Sequence, residues 1–143
     1  MSLYLDTSLL VAAFTLEEGT DKAQQWLAAA DPETLHISEW TVAEFSSALS
    51  LKLRTEQIDI AQRTRILSAF RARVAGSFTI IDIDARHFRA ATGFVERHKL
   101  NLRAADALHL AVAADYGLTL CTLDRRLAAA GPILGVATEL AVP

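Results

Sequence analysis

Short apolar runs separated by helix-length segments recur along the whole chain, and that order decides which folds are open to it. Leu3-Tyr4-Leu5, Leu35-His36-Ile37, the run 78–83 and the run 118–122 each read as a strand. Gly135-Val136-Ala137 reads as a further edge strand. Between these runs the apolar spacing becomes helical, over residues 8–14, 22–30, 39–53, 57–75, 85–99, 104–116 and 124–130. Ser38 and Asp84 occupy helix-capping positions, while Gly76-Ser77 and Gly117 stand where helices should stop. Strands this short and this apolar, alternating with helices, need crossover connections. The expected architecture is therefore α/β, with helices on both faces of a central parallel sheet of four or five strands.

The 143 residues are 52% hydrophobic and 22% charged, which excludes a disordered or low-complexity chain. One domain over residues 1–143 is expected, since a chain of this length can bury a sizeable core. The single cysteine, Cys121, excludes an intrachain disulfide and reads as a small apolar filler in mid-strand. No run approaches the roughly 20 apolar residues of a membrane-spanning helix. The first five residues carry no basic charge, so a cytoplasmic protein without a leader is expected.

A net charge of −3 argues against coating nucleic acid by bulk charge, but its distribution is uneven. Residues 1–51 sum to −7, residues 52–103 to +6 and the remainder to −2. Nine of the eleven bases in the middle block are arginine, the better fork for phosphate. Solvated helix faces are the plain alternative for these residues.

Four acids stand where a structural acid would be awkward. Asp6 follows the first strand at its carboxyl end, the edge where open α/β sheets bind ligands, although Asp-Thr-Ser also suits a helix cap. Asp124 occupies the equivalent place after the run 118–122, with the same two readings. Glu44 lies on the helix 39–53 with only the small Ser47 and Ala48 on its face at i+3 and i+4; an exposed helical Glu is its alternative. Asp106 sits in Ala104-Ala105-Asp106-Ala107-Leu108-His109, a helix apolar nearly all round. An ionised carboxylate there must be paired, with Arg103 in reach at i−3, or must bind a metal. Four converging carboxylates make sense together only around a cation. Oxygen donors alone select Mg²⁺ or Mn²⁺, which polarise phosphoryl oxygens and activate water. Zinc is disfavoured, because His36, His87, His98 and His109 show no chelating spacing.

The ordered set Tyr4-Leu5-Asp6-Thr7-Ser8, Val42-Ala43-Glu44-Phe45, the stretch Leu102 to Ala111 and Thr122-Leu123-Asp124 resembles the PIN-domain ribonucleases, specifically the VapC-like toxins of type II toxin–antitoxin systems. The resemblance implies a PIN-like three-layer fold and Mg²⁺- or Mn²⁺-dependent cleavage of RNA, tRNA among the candidate substrates. It implies an acidic site of Asp6, Glu44, Asp106 and Asp124, with hydroxyls from Thr7 or Ser8 and from Thr122 in support. It further implies a homodimer and a cognate antitoxin. Asp6, Asp106 and Asp124 would hold the metal, with Glu44 acting through water, and Arg103, Arg125 or Arg126 would steady the phosphate. Arg125, Arg126 and Leu127 stand where many relatives carry a further acid, which counts against a second tightly bound metal. Two other classes remain to be weighed: a Mg²⁺-dependent phosphatase for small molecules, and an RNA- or partner-binding module without catalysis. The first lacks an Asp-x-Asp nucleophile motif, since position 8 is Ser. For the second, Trp26, Leu27, Trp40 and Phe45 are the apolar side chains a partner would use if any were exposed.

Overall fold

The computed structural model describes residues 1–141; Val142 and Pro143, the last two positions of the expected domain, lie outside the described residues. Five strands form one sheet: β1 (Leu3–Leu5), β2 (Leu35–Ser38), β3 (Thr79–Ile81), β4 (Thr119–Thr122) and β5 (Thr138–Leu140). Every pairing is parallel, and the spatial order is β3-β2-β1-β4-β5. Seven α-helices connect them: α1 (Thr7–Phe14), α2 (Thr20–Ala29), α3 (Glu39–Arg54), α4 (Ile60–Ser77), α5 (Ala85–Glu96), α6 (Ala104–Tyr116) and α7 (Arg125–Ile133).

Alternation along the strands divides the core into two layers. Leu5, Ile37, Leu35 and Cys121 face α1–α4, where Leu9, Leu10, Leu27, Leu49 and Phe70 are buried with them. Tyr4 and Leu120 face α5–α7, packing with Leu108, Leu110, Val112 and Leu127. Phe45 and Phe70 stack at 3.8 Å between centroids, and Phe14 meets both edge-on, so three helices are joined through one aromatic cluster. Phe45 and Leu27 are thus core, whereas Trp26 and Trp40 are half-buried. Among the described residues no helix is long and apolar enough to cross a membrane.

Several boundaries differ from the sequence-based expectation, each for a local reason. Helix α2 starts at Thr20 rather than 22, because the Thr20 hydroxyl accepts from Glu17 N–H and donates to the Thr15 carbonyl, closing the turn. Helix α4 starts at Ile60 rather than 57: Asp59 and Gln62 form a reciprocal capping box. It continues through Gly76, which has open space and no turn to make. Strand β3 pairs only over Thr79–Ile81, since it is an edge strand facing a four-residue neighbour. Helix α5 ends at Glu96, and a 3-10 turn over His98–Leu100 follows, closed by Asn101 at φ 52°.

The largest difference is at the C-terminal end. Helix α7 runs past Gly131-Pro132 to Ile133, and β5 begins at Thr138 rather than 135. Pro132 has no N–H to give to the Ala128 carbonyl, and the Thr138 hydroxyl supplies the missing donor at 2.6 Å. Gly131 makes this approach possible: a Cβ there would lie 2.2 Å from Thr138 Cγ2.

Two outcomes test this packing. Phe45→Ala should cost about 3–5 kcal/mol, read as a lower urea midpoint with an unchanged slope. Burial, with the Glu139 charge adding to it, pushes the Cys121 thiol up to about 12. It should therefore resist a thiol-specific disulfide reagent at pH 8 and react fully once urea unfolds the chain.

Candidate active site

Sheet order reverses between β1 and β4, and the crevice at their carboxyl ends is where the conspicuous acids gather. Asp6 leaves β1 with its backbone N–H bonded to the Cys121 carbonyl at 2.9 Å, which ties it to β4. It stands at the N-cap position of α1, yet its side chain makes no capping bond. Instead its carboxylate Oδ2 accepts from the Ser8 and Thr122 hydroxyls, each at 2.7 Å. The cap alternative for Asp6 is thereby answered: the residue starts the helix by position, while its buried carboxylate belongs to the crevice.

Asp124 caps its helix and also lines the hollow beside the strand ends. Its Oδ1 caps α7 by accepting from Arg126 N–H at 2.9 Å and Leu127 N–H at 3.3 Å. Thr122 connects the two aspartates, since its hydroxyl donates to Asp6 and accepts from Asp124 N–H at 3.0 Å. Ser8 reinforces the link by accepting from Leu123 N–H at 3.3 Å.

Glu44, from α3, is held through one oxygen. Thr7 donates to its Oε1 at 2.7 Å, and His109 Nε2 makes a very short contact to the same atom. Burial opposes ionisation of Glu44, but the His109 hydrogen bond and charge, with the Thr7 hydroxyl, outweigh it and hold the carboxyl below its usual range. Asp106, in the first turn of α6, makes no hydrogen bond or ion pair among the described residues. The pairing with Arg103 offered by the sequence does not form; Arg103 is exposed at the N-cap of α6. Burial raises the Asp106 carboxyl, and the charges of Asp6, Asp124 and Glu44 raise it further, with His109 opposing.

A single pattern unites these acids. Among the described residues, Asp6, Glu44 and Asp124 each have one oxygen fixed by hydrogen bonds and the other with none. His109 stands 3.8 Å from the second oxygen of Asp6, while Asp106 has no hydrogen bond on either oxygen. Thr7, Ser8, Glu44, Ser47, Arg103 and Asp124 line an open hollow of about 780 Å³. Among the described residues no three His, Cys, Asp or Glu side chains are drawn together closely enough to hold a metal as they stand. The donor chemistry nevertheless fits a hard divalent cation, because the atoms left without hydrogen bonds are carboxylate oxygens and the charges of Asp6, Asp124 and Glu44 bear on Asp106.

Three members of the basic block have structural partners. Lys52 pairs with Glu17 at 2.8 Å, Arg86 with Asp84 and Asp115, and Arg73 lies over the Phe78 ring. Only Arg54 and Arg103 line the hollow, and neither has an ion pair among the described residues. Arg125 and Arg126 are exposed at the start of α7, where Arg126 approaches Asp124 at 3.9 Å.

Two residues that the sequence does not place among the site residues join them, although His109 stands at i+3 from Asp106 on the same side of its helix. His109 is fully buried and Tyr4 is fully buried beside it, with the Tyr4 hydroxyl 2.8 Å from His109 Nδ1. Each is a polar side chain in an otherwise apolar stretch, and that is the signal the sequence offers for them.

Comparison with known proteins identifies the family and the fold. The PIN domain family model matches residues 3–131. No curated protein gives a significant match. Among solved structures, FitAcB from Neisseria gonorrhoeae superposes with a TM-score of 0.73 at 20% identity, covering 97% of each chain. VapC20 of Mycobacterium tuberculosis, described as a sarcin–ricin loop cleaving toxin, gives 0.74 at 20% identity over 91% of this chain and 95% of its own. A toxin–antitoxin complex from Klebsiella pneumoniae gives 0.65 at 25% identity over 98% of both. With a family match across nearly the whole length and this arrangement at the sheet edge, the chain belongs to the PIN domain family.

Proposed function

We propose that the protein is a metal-dependent endoribonuclease, the toxin of a toxin–antitoxin pair, formed as a single domain over residues 1–143. The observation that carries this reading is the set of half-anchored carboxylates Asp6, Glu44 and Asp124, of which Glu44 and Asp124 line the hollow. Asp6, Asp106 and Asp124 would hold Mg²⁺ or Mn²⁺, with Glu44 acting through water. Such an ion, when bound, polarises a phosphoryl oxygen and makes water more acidic.

The chain's own groups supply the rest. Glu44, held ionised by His109 and Thr7, orients the attacking water through Oε2 and takes its proton. Arg103 and Arg54 bind backbone phosphates on either side of the scissile bond. Thr7, Ser8 and Thr122 act by fixing carboxylate oxygens. An RNA path through a hollow with two unpaired arginines explains how a chain of net charge −3 can bind a polyanion.

A cognate antitoxin and a second copy of this chain are the proposed partners, and the cytoplasm the proposed place of action. The Klebsiella neighbour, described as a toxin–antitoxin complex, supports the antitoxin. So does the apolar rim of the hollow at Val11, Leu51 and Leu123, with Leu51 exposed.

Incubation of the purified protein with structured RNA, followed by mapping of new 5′ ends, tests the reading. Discrete cleavage should require Mg²⁺ or Mn²⁺, vanish with EDTA, and fall at least 100-fold (about 2.7 kcal/mol in barrier) in Asp106→Asn. Undiminished cleavage by a folded Asp106→Asn protein would sink it. Arg103→Gln and Arg54→Gln should each raise KM with little change in kcat. Each should also flatten the salt dependence of RNA binding, by about 0.7 in log–log slope for every phosphate the variant no longer neutralises.

A further inference from the structure

We infer that His109 and Tyr4 are positioning residues for Glu44: a buried hydrogen-bonded relay from the capped start of α3, through Tyr4 and His109, fixes Glu44 Oε1 so that Oε2 is presented to the hollow. This rests on the nuclease reading above.

The direction of donation along the relay follows from what each atom can do. A carboxylate only accepts, so the proton between His109 and Glu44 is carried by Nε2. With Nε2–H turned to Glu44, Nδ1 faces the Tyr4 hydroxyl at 2.8 Å, and in the proposed relay the hydroxyl donates to it. Burial pushes the Tyr4 phenol up to about 12, against the hydrogen bonds from Ser38 and Thr41, so the hydroxyl keeps its proton. Its oxygen lone pairs face Ser38 Oγ at 2.7 Å and Thr41 Oγ1 at 3.3 Å. Ser38 and Thr41 are the capping box of α3. The relay therefore begins at the first turn of the helix that carries Glu44 and returns to Glu44 from the opposite side, across β1 and α6.

Geometry favours positioning over mere satisfaction of a buried histidine. Glu44 has a flexible side chain whose immobilisation costs about 1.5–2 kcal/mol of rotamer entropy. Two donors, Thr7 Oγ1 and His109 Nε2, converge on Oε1, and neither bonds Oε2. A packing role would ask only that His109 find some partner; it would not require both donors to share Oε1 and leave Oε2 bare. Tyr4 matters because, without its hydroxyl, the ring is free to take the tautomer with Nδ1–H, which leaves Nε2 unable to donate.

Steady-state cleavage and imidazole ¹⁵N NMR of the metal-free protein test the inference together. His109→Leu should lower kcat about 100-fold with KM changed less than about threefold. His109→Gln, whose amide can donate to Glu44, should recover at least tenfold of that loss. Tyr4→Phe should fall between the two. In the NMR arm, His109 should show the Nε2–H tautomer with a slowly exchanging proton, displaced by Glu44→Gln and converted in part to Nδ1–H by Tyr4→Phe. Equal loss in the Leu and Gln variants of folded protein, or an Nδ1–H tautomer in the wild type, would overturn the relay. Absence of RNA cleavage by the wild type would instead strike the nuclease reading, and the NMR result would then decide the relay alone. Because that arm needs only wild-type, Glu44→Gln and Tyr4→Phe protein, a failure of the Leu variant to fold leaves it intact.

Discussion

Repulsion among Asp6, Glu44, Asp106 and Asp124 is the constraint around which the rest of the molecule is arranged. Three of these charges push the fourth, Asp106, toward its neutral form, beyond what its burial already does. Isolated carboxylates in that position would swing apart or take up protons. Here Ser8, Thr122, Thr7, His109 and two backbone N–H groups of α7 fix one oxygen on each of three acids. These hydrogen bonds offset part of the repulsion and leave the outward oxygens unused. Binding of the proposed cation would offset the repulsion that remains.

The parallel sheet supplies the convergence. β1 and β4 are adjacent, so residues more than 110 positions apart in sequence end side by side at one edge, and Thr122 can hydrogen-bond Asp6. Asp6 and Asp124 reach the crevice from the strand ends, while Glu44 and Asp106 reach it from helices on opposite faces of the sheet. The aromatic cluster of Phe14, Phe45 and Phe70 seats α3, and Phe45 is the immediate neighbour of Glu44 in sequence. Core packing and site geometry are therefore set by the same few residues.

The alternation of strands and helices is legible in the sequence because the apolar period changes cleanly from one segment to the next, and Ser38 and Gly117 mark their helix ends correctly. The β5 register is not, because it depends on a tertiary event: Thr138 replacing the donor that Pro132 lacks. Asp6 and Asp124 share one sequence signature and two readings, and only the side-chain bonds separate them, since Asp124 caps and Asp6 does not. Spacing makes Arg103 a natural partner for Asp106, but its place at the N-cap turns it toward solvent. The +6 block is visible as a total; which of its members form structural pairs and which line the hollow needs three dimensions. Histidine spacing speaks only against zinc and says nothing of His109 itself, although a buried imidazole among alanines and leucines has to have a partner.

Thermal stability measured with and without Mn²⁺ tests the central claim, that these acids form a repulsive cluster built for a cation. In EDTA, Asp106→Asn should melt at a higher temperature than wild type, because a half-buried like charge has been removed. Saturating Mn²⁺ should raise the wild-type midpoint by mass action and leave the variant nearly unmoved, so that the order reverses. A variant less stable than wild type in EDTA, together with no Mn²⁺ response in either protein, would contradict the account.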